Sequence, residues 1–101
     1  MTEKCGFKAA KKGVINCLTN KDIQHELRNN IDEKNLLANG EISADYLIEI
    51  LKKSRGNEYE NSPHHLDKNI EVHIIKTKFD GVDWYIKWYF SSPECVFISV
   101  H

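Results

Sequence analysis

The stretch IEVHIIKTKFDGVDWYIKWYF, residues 70–90, decides the fold. Ile70, Val72 and Ile74 alternate with Glu71 and His73, the period of a half-buried β-strand. Asp80-Gly81 is a two-residue hairpin signal, because both residue types accept the positive φ that such a turn demands. WYIKWYF, residues 84–90, is rich in aromatic and β-branched side chains that favour strands. SSPE at 91–94 predicts a further turn, with Pro93 unsuited to a central strand. CVFISVH, residues 95–101, then reads as a third strand. Strands joined by short turns predict an antiparallel meander.

Working outward, residues 1–56 read as helical. Phe7, Ala10, Val14, Cys17 and Leu18 have helical spacing, weakened by Gly13. Thr19 or Asn20 is a candidate cap for a second helix carrying Ile23, Leu27 and Ile31 on one face. Asn39-Gly40 reads as a turn. Ser43 predicts the N-cap of a third helix with Asp45 in its first turn and Leu47, Ile50 and Leu51 as its buried stripe. Lys52, Lys53 and Arg55 suit its C-terminus, and Gly56 is the expected left-handed cap. The expectation is one α+β domain over 1–101, in which the helices of 1–56 pack on one face of an antiparallel sheet formed by 70–101.

The 101-residue length suits one hydrophobic core. No segment approaches the roughly 20 apolar residues of a membrane span, and no apolar run follows the N-terminal lysines as in a secretory signal. Three cysteines, Cys5, Cys17 and Cys95, lie far apart without a C-x-x-C. Reduced, mostly buried thiols and a cytoplasmic location follow as expectations. A net charge of −1 makes any nucleic-acid contact depend on a local basic patch.

Strand alternation sorts the expected sheet into two faces. Ile70, Val72, Ile74, Trp84, Ile86, Trp88, Phe90, Val96, Ile98 and Val100 would face the helices. Glu71, His73, Ile75, Thr77, Tyr85, Lys87, Tyr89, Phe97, Ser99 and His101 would form the other face. That second face gathers imidazoles for proton transfer, a lysine for charge and tyrosine rings for stacking. A merely solvated face is the plain rival, since antiparallel sheets often leave one side wet. Cations at Lys52, Lys53 and Arg55 extend the positive surface, although helix C-termini attract such residues anyway.

His64, His65 and His73 lack any zinc-ligand spacing, so a site of His65, His73 and His101 is the weaker metal alternative. Acid–base chemistry fits these residue types better. Metal-independent RNA cleavage needs a base for the 2′-hydroxyl, an acid for the leaving oxygen and a cation at the phosphorane. Histidines supply the first two roles, and Lys87 or Arg55 the third. His25, in the expected second helix, reads as a surface or boundary residue. Nucleophilic catalysis through Cys95 or Ser99 lacks a supporting pattern.

The motifs SPHH before the first strand, EVHIIK within it, WYIKWYF in the second and VFISVH at the end resemble the small ribonuclease toxins of the barnase–colicin–RelE superfamily, including RelE-like and MqsR-like toxins. The resemblance covers residues 62–101, and the helical half only by order of elements. It implies a cofactor-free RNA endonuclease with RNA as substrate and a cognate antitoxin or immunity protein as partner. The catalytic candidates are His65, His73, Lys87 and His101, with His64, Tyr85, Tyr89, Ser99 and Arg55 as RNA contacts; the resemblance carries over to all of these except Tyr89 and Arg55, which rest on the residue types alone. The sequence pI of about 6.5 departs from the basic character usual in RelE-type toxins. The rival from another class is a non-catalytic binding module, immunity- or antitoxin-like, that offers its aromatic face to a protein.

Overall fold

The computed structural model describes residues 6–26, 34–64 and 66–101. Two helices, α1 (Phe7–Asn20) and α2 (Ala44–Lys53), cover one face of a five-stranded sheet. Its strands are β1 (Ile23–His25), β2 (Tyr59–Pro63), β3 (Glu71–Phe79), β4 (Val82–Ser91) and β5 (Glu94–Val100). Their spatial order is β1-β5-β4-β3-β2. The α+β class is as expected. The sheet is mixed, because β1 runs parallel to β5 while the other neighbours are antiparallel.

α1 buries Ala10, Val14, Cys17 and Leu18, the stripe its spacing predicts, and ends where Lys21 turns left-handed at φ 62°. Gly13 has a packing reason. A Cβ built there would lie 3.0 Å from the tip of the Phe90 ring. The Ser43 hydroxyl accepts the Tyr46 amide at 3.1 Å and starts α2 as expected. α2 stops earlier than Gly56, however. The Ser54 hydroxyl and amide both turn back to the Leu51 carbonyl, and Gly56 instead opens a short 3₁₀ turn, Gly56–Glu58.

The second helix expected from Thr19 or Asn20 is corrected at its start. Ile23, Gln24 and His25 pair with Cys95, Val96 and Phe97 as an edge strand. Leu27 and Ile31 of that expected stripe lie outside the described residues. Three residues carry too little periodicity to outweigh a helical pattern, so only the distant partner strand reveals β1. Residues 59–63, between the expected helical and sheet segments, form the opposite edge.

The β3–β4 hairpin turns at Asp80 and Gly81, both at positive φ (52° and 76°). This two-residue turn sets Phe79 opposite Val82, Thr77 opposite Trp84, Ile75 opposite Ile86 and His73 opposite Trp88. The helix-covered face of β3 therefore carries His73, Ile75 and Thr77, not Val72 and Ile74. A register irregularity at Lys87/Trp88 changes the phase of β5 as well. Trp88 pairs with Phe97 and Lys87 with Ser99, which leaves Ile98 as a bulge. Phe97 and Val100 enter the main core with Trp84, Ile86 and Trp88. Val72, Ile74 and Ile98 form a smaller apolar cluster with Tyr85 and Tyr89 on the other face.

Candidate functional site

The true register divides the expected site between the two faces. His73 lies in the main core, 2% exposed, between the rings of Tyr59, Trp88 and Phe90 at 5.9, 5.6 and 5.1 Å. Its Nδ1 is 2.7 Å from the Tyr59 hydroxyl. Burial pushes the imidazole below its ordinary range, and Glu71 opposes that shift. His73 is a core histidine held neutral, separated by the sheet from Lys87 and His101. The shared acid–base site expected from the sequence does not form around it. A metal set joining His73 to His101 is separated for the same reason. Among the described residues no three His, Cys, Asp or Glu side chains gather as metal ligands do. His65 lies outside the described residues.

The second face is built on β4, which presents Tyr85, Lys87 and Tyr89 in a row, all half-buried. At one end Tyr85 and His101 exchange backbone hydrogen bonds of 2.6 and 3.0 Å. Their rings stack at 5.4 Å with planes 21° apart. Lys76, opposite Tyr85 on β3, places its ammonium 5.9 Å from the tyrosine ring and 3.0 Å from Glu60. The hydrogen bond to Glu60 raises the Lys76 pKa. In the middle Lys87 stands opposite Ser99, which is buried. Lys87 and His101 are thus diagonal neighbours, a separation of about 7–8 Å in antiparallel sheets.

At the other end the His64 ring meets Tyr89 edge-on at 5.3 Å. Its Nε2 is 3.0 Å from Glu26 Oε1, and its Nδ1 accepts the Leu66 amide at 3.0 Å. An accepting Nδ1 leaves the proton on Nε2, which donates to Glu26. His64 is 6% exposed and both its nitrogens are engaged, so it orders the loop entering β3. Burial and the nearby Glu26 carboxylate raise the Tyr89 phenol. Glu26, within the stretch whose spacing suggests a second helix, joins this cluster without any local sequence signal for it.

Arg55 stands with the helices. Its amide donates to Glu58 Oε1 at 2.7 Å, beyond the end of α2. His25 lies on β1, tilted against Phe97 at 6.0 Å, with its Nδ1 3.0 Å from the Asn35 side-chain nitrogen. Burial lowers its pKa. Cys17 and Cys95 are buried free thiols; Cys17 Sγ donates to the Pro93 carbonyl at 3.6 Å, and burial raises both pKa values. No helix among the described residues is long and apolar enough to cross a membrane.

Of the nine residues expected to act, Tyr85, Lys87, Tyr89, Ser99 and His101 share the second face, with His64 at its edge. Compared with protein-family models and with curated proteins, the chain matches none.

Proposed function

We propose that the protein is a metal-independent RNA endonuclease whose working surface is the second face of the sheet, centred on Tyr85, Lys87 and His101. The observation that carries this reading is the His101 ring stacked on Tyr85, one diagonal step from Lys87. In this scheme Tyr85 stacks a nucleobase. The His101 imidazole takes the 2′-hydroxyl proton as the new P–O bond forms, and returns a proton to the 5′-oxygen as the old bond breaks. Lys87 holds the charge that develops on the phosphorane. His73 has no part in it.

The test is incubation of single-stranded RNA with the purified protein in chelator, followed by the His101→Ala and Lys87→Ala variants. Cleavage by the wild type that falls at least 100-fold in each variant supports the reading, since a positioned acid–base group contributes roughly 10²–10⁴-fold. Intact RNA with the wild type overturns it.

A second reading, a non-catalytic protein-binding module, is favoured by one observation. Tyr85 and Tyr89 pack on the apolar cluster of Val72, Ile74 and Ile98, with Glu26, Glu60, Lys76 and Lys87 around them. An apolar, aromatic centre with a rim of both charge signs is the anatomy of a protein interface. Intact RNA together with unimpaired growth of an expressing host would favour this reading.

A further inference from the structure

The helix layer, on the opposite side of the molecule, carries a basic patch that the proposed cleavage site does not use. Lys11 of α1 donates to the carbonyls of Lys52 and Ser54 at 2.9 and 3.1 Å, and so fixes the first turns of α1 against the end of α2. Its ammonium also lies 5.4 Å from the Phe7 ring, and that ring packs against Gly56. These contacts set α1 beside the end of α2, and Lys8, Lys12, Lys52, Lys53 and Arg55, carried by these two adjoining segments, are all exposed. Among the described residues none of the five forms an ion pair. Glu58, the adjacent carboxylate, is occupied by the Arg55 amide and the Thr77 hydroxyl. Glu49 is the other acidic residue near this end of α2. The chain's net charge is −1, so setting aside these five cations and Lys11 leaves −7 on the remainder.

Helix electrostatics explain only half of the patch. Lys52 and Lys53 suit the negative end of α2. Lys8 lies in the first turn of α1, where the helix dipole disfavours a cation. That turn contains no acidic residue, and Gly6 supplies no side-chain cap. The exposed amides of this N-terminus add to the positive field. Like charges carried on adjoining segments repel one another, and a bound anion relieves that repulsion.

We infer that this patch of Lys8, Lys12, Lys52, Lys53 and Arg55 binds the phosphate backbone of single-stranded RNA. The choice of RNA rests on the cleavage reading, whereas the choice of a polyanion rests on the patch alone. A membrane is disfavoured because the large exposed apolar side chains among the described residues, Leu66 and Val82, lie in the loop before β3 and at the β3–β4 turn. An amphipathic membrane contact needs such residues beside its cations. The patch neutralises backbone charge without base recognition, so binding tolerates sequence and depends steeply on salt.

The experiment is fluorescence anisotropy of the full chain with a labelled 2′-O-methyl oligoribonucleotide, which lacks the hydroxyl needed for cleavage. Five neutralised phosphates give a log–log salt slope of about −3.5, so affinity falls roughly a hundredfold between 50 and 200 mM salt. A combined variant, Lys8→Gln, Lys12→Gln, Lys52→Gln, Lys53→Gln and Arg55→Gln, should lose binding and most of the slope. An all-arginine version of the same positions should keep both, and this guards against a folding defect in the glutamine set. Cleavage of ordinary RNA by the wild type is assayed in parallel: salt-sensitive binding that is lost in the glutamine variant, with ordinary RNA left intact, supports the patch and overturns only the cleavage reading. Unaltered binding by the glutamine variant would overturn the inference. So would tighter binding of poly-glutamate, or of vesicles rich in anionic lipid, than of the oligonucleotide.

Discussion

His73 and Trp88 stand directly opposite each other on β3 and β4, ring centroids 5.6 Å apart, on the helix-covered face. An imidazole placed there stays neutral while the unfolded chain protonates it near pH 6.5. Burial lowers the folded pKa of both His73 and His25. Between each folded value and about 6.5 the unfolded state therefore binds more protons, so stability should fall as pH drops below about 6.5. His73→Phe should make that fall shallower. Urea midpoints between pH 5 and 8 measure it, and parallel profiles for the two proteins would refute the assignment.

Gly13 and Phe90 are set against each other. Alanine at position 13 gains roughly 1 kcal/mol of helix propensity, but its Cβ meets the Phe90 ring at 3.0 Å. That ring also packs on His73 and Trp88 and has little room to retreat. Gly13→Ala should destabilise the wild type by about 1 kcal/mol and stabilise a Phe90→Leu background. A double-mutant cycle by chemical denaturation reads the change of sign directly.

Asn35 is fully buried and serves two partners, accepting the Ala38 amide at 3.0 Å and reaching His25 Nδ1 at 3.0 Å. Its backbone bridges to Val100. Replacement by alanine leaves a buried amide and an imidazole nitrogen unsatisfied, at a cost of about 1–3 kcal/mol. Thermal denaturation should show it, together with faster amide exchange at Leu36, whose N–H donates to Val100.

Lys11→Met keeps the apolar stem but deletes the two bonds to the end of α2. A loss of about 1 kcal/mol is expected, with an unchanged denaturant slope. No loss at all would mean that solvent caps those carbonyls equally well.

The sequence made α1, α2 and the Asp80-Gly81 turn legible because each is specified by neighbouring residues. The faces of β3 differ from those that alternation suggests, for a physical reason. Ile74 and Ile75 are adjacent and both apolar, so alternation alone cannot say which one points inward. The turn contained the answer. Counting outward from Asp80-Gly81 sets Ile75 against Ile86 and His73 against Trp88. β1 and the Glu26–His64 pair were illegible, because each depends on a partner dozens of residues away. The expected catalytic group rested on His73, and it moved with the strand.

The bulge at Ile98 has a meaning beyond the local geometry of β5. Strict alternation from Phe97, which points into the core, would also send Ser99 and His101 there and turn Val100 outward. Because the register on β4 steps from Trp88–Phe97 to Lys87–Ser99 across Ile98, the last three residues are read one step out of phase with those before it. Val100 falls inward against Ile86, and His101 arrives beside Tyr85. One uncounted residue thus decides whether the chain's last imidazole belongs to the interior or to the proposed RNA surface.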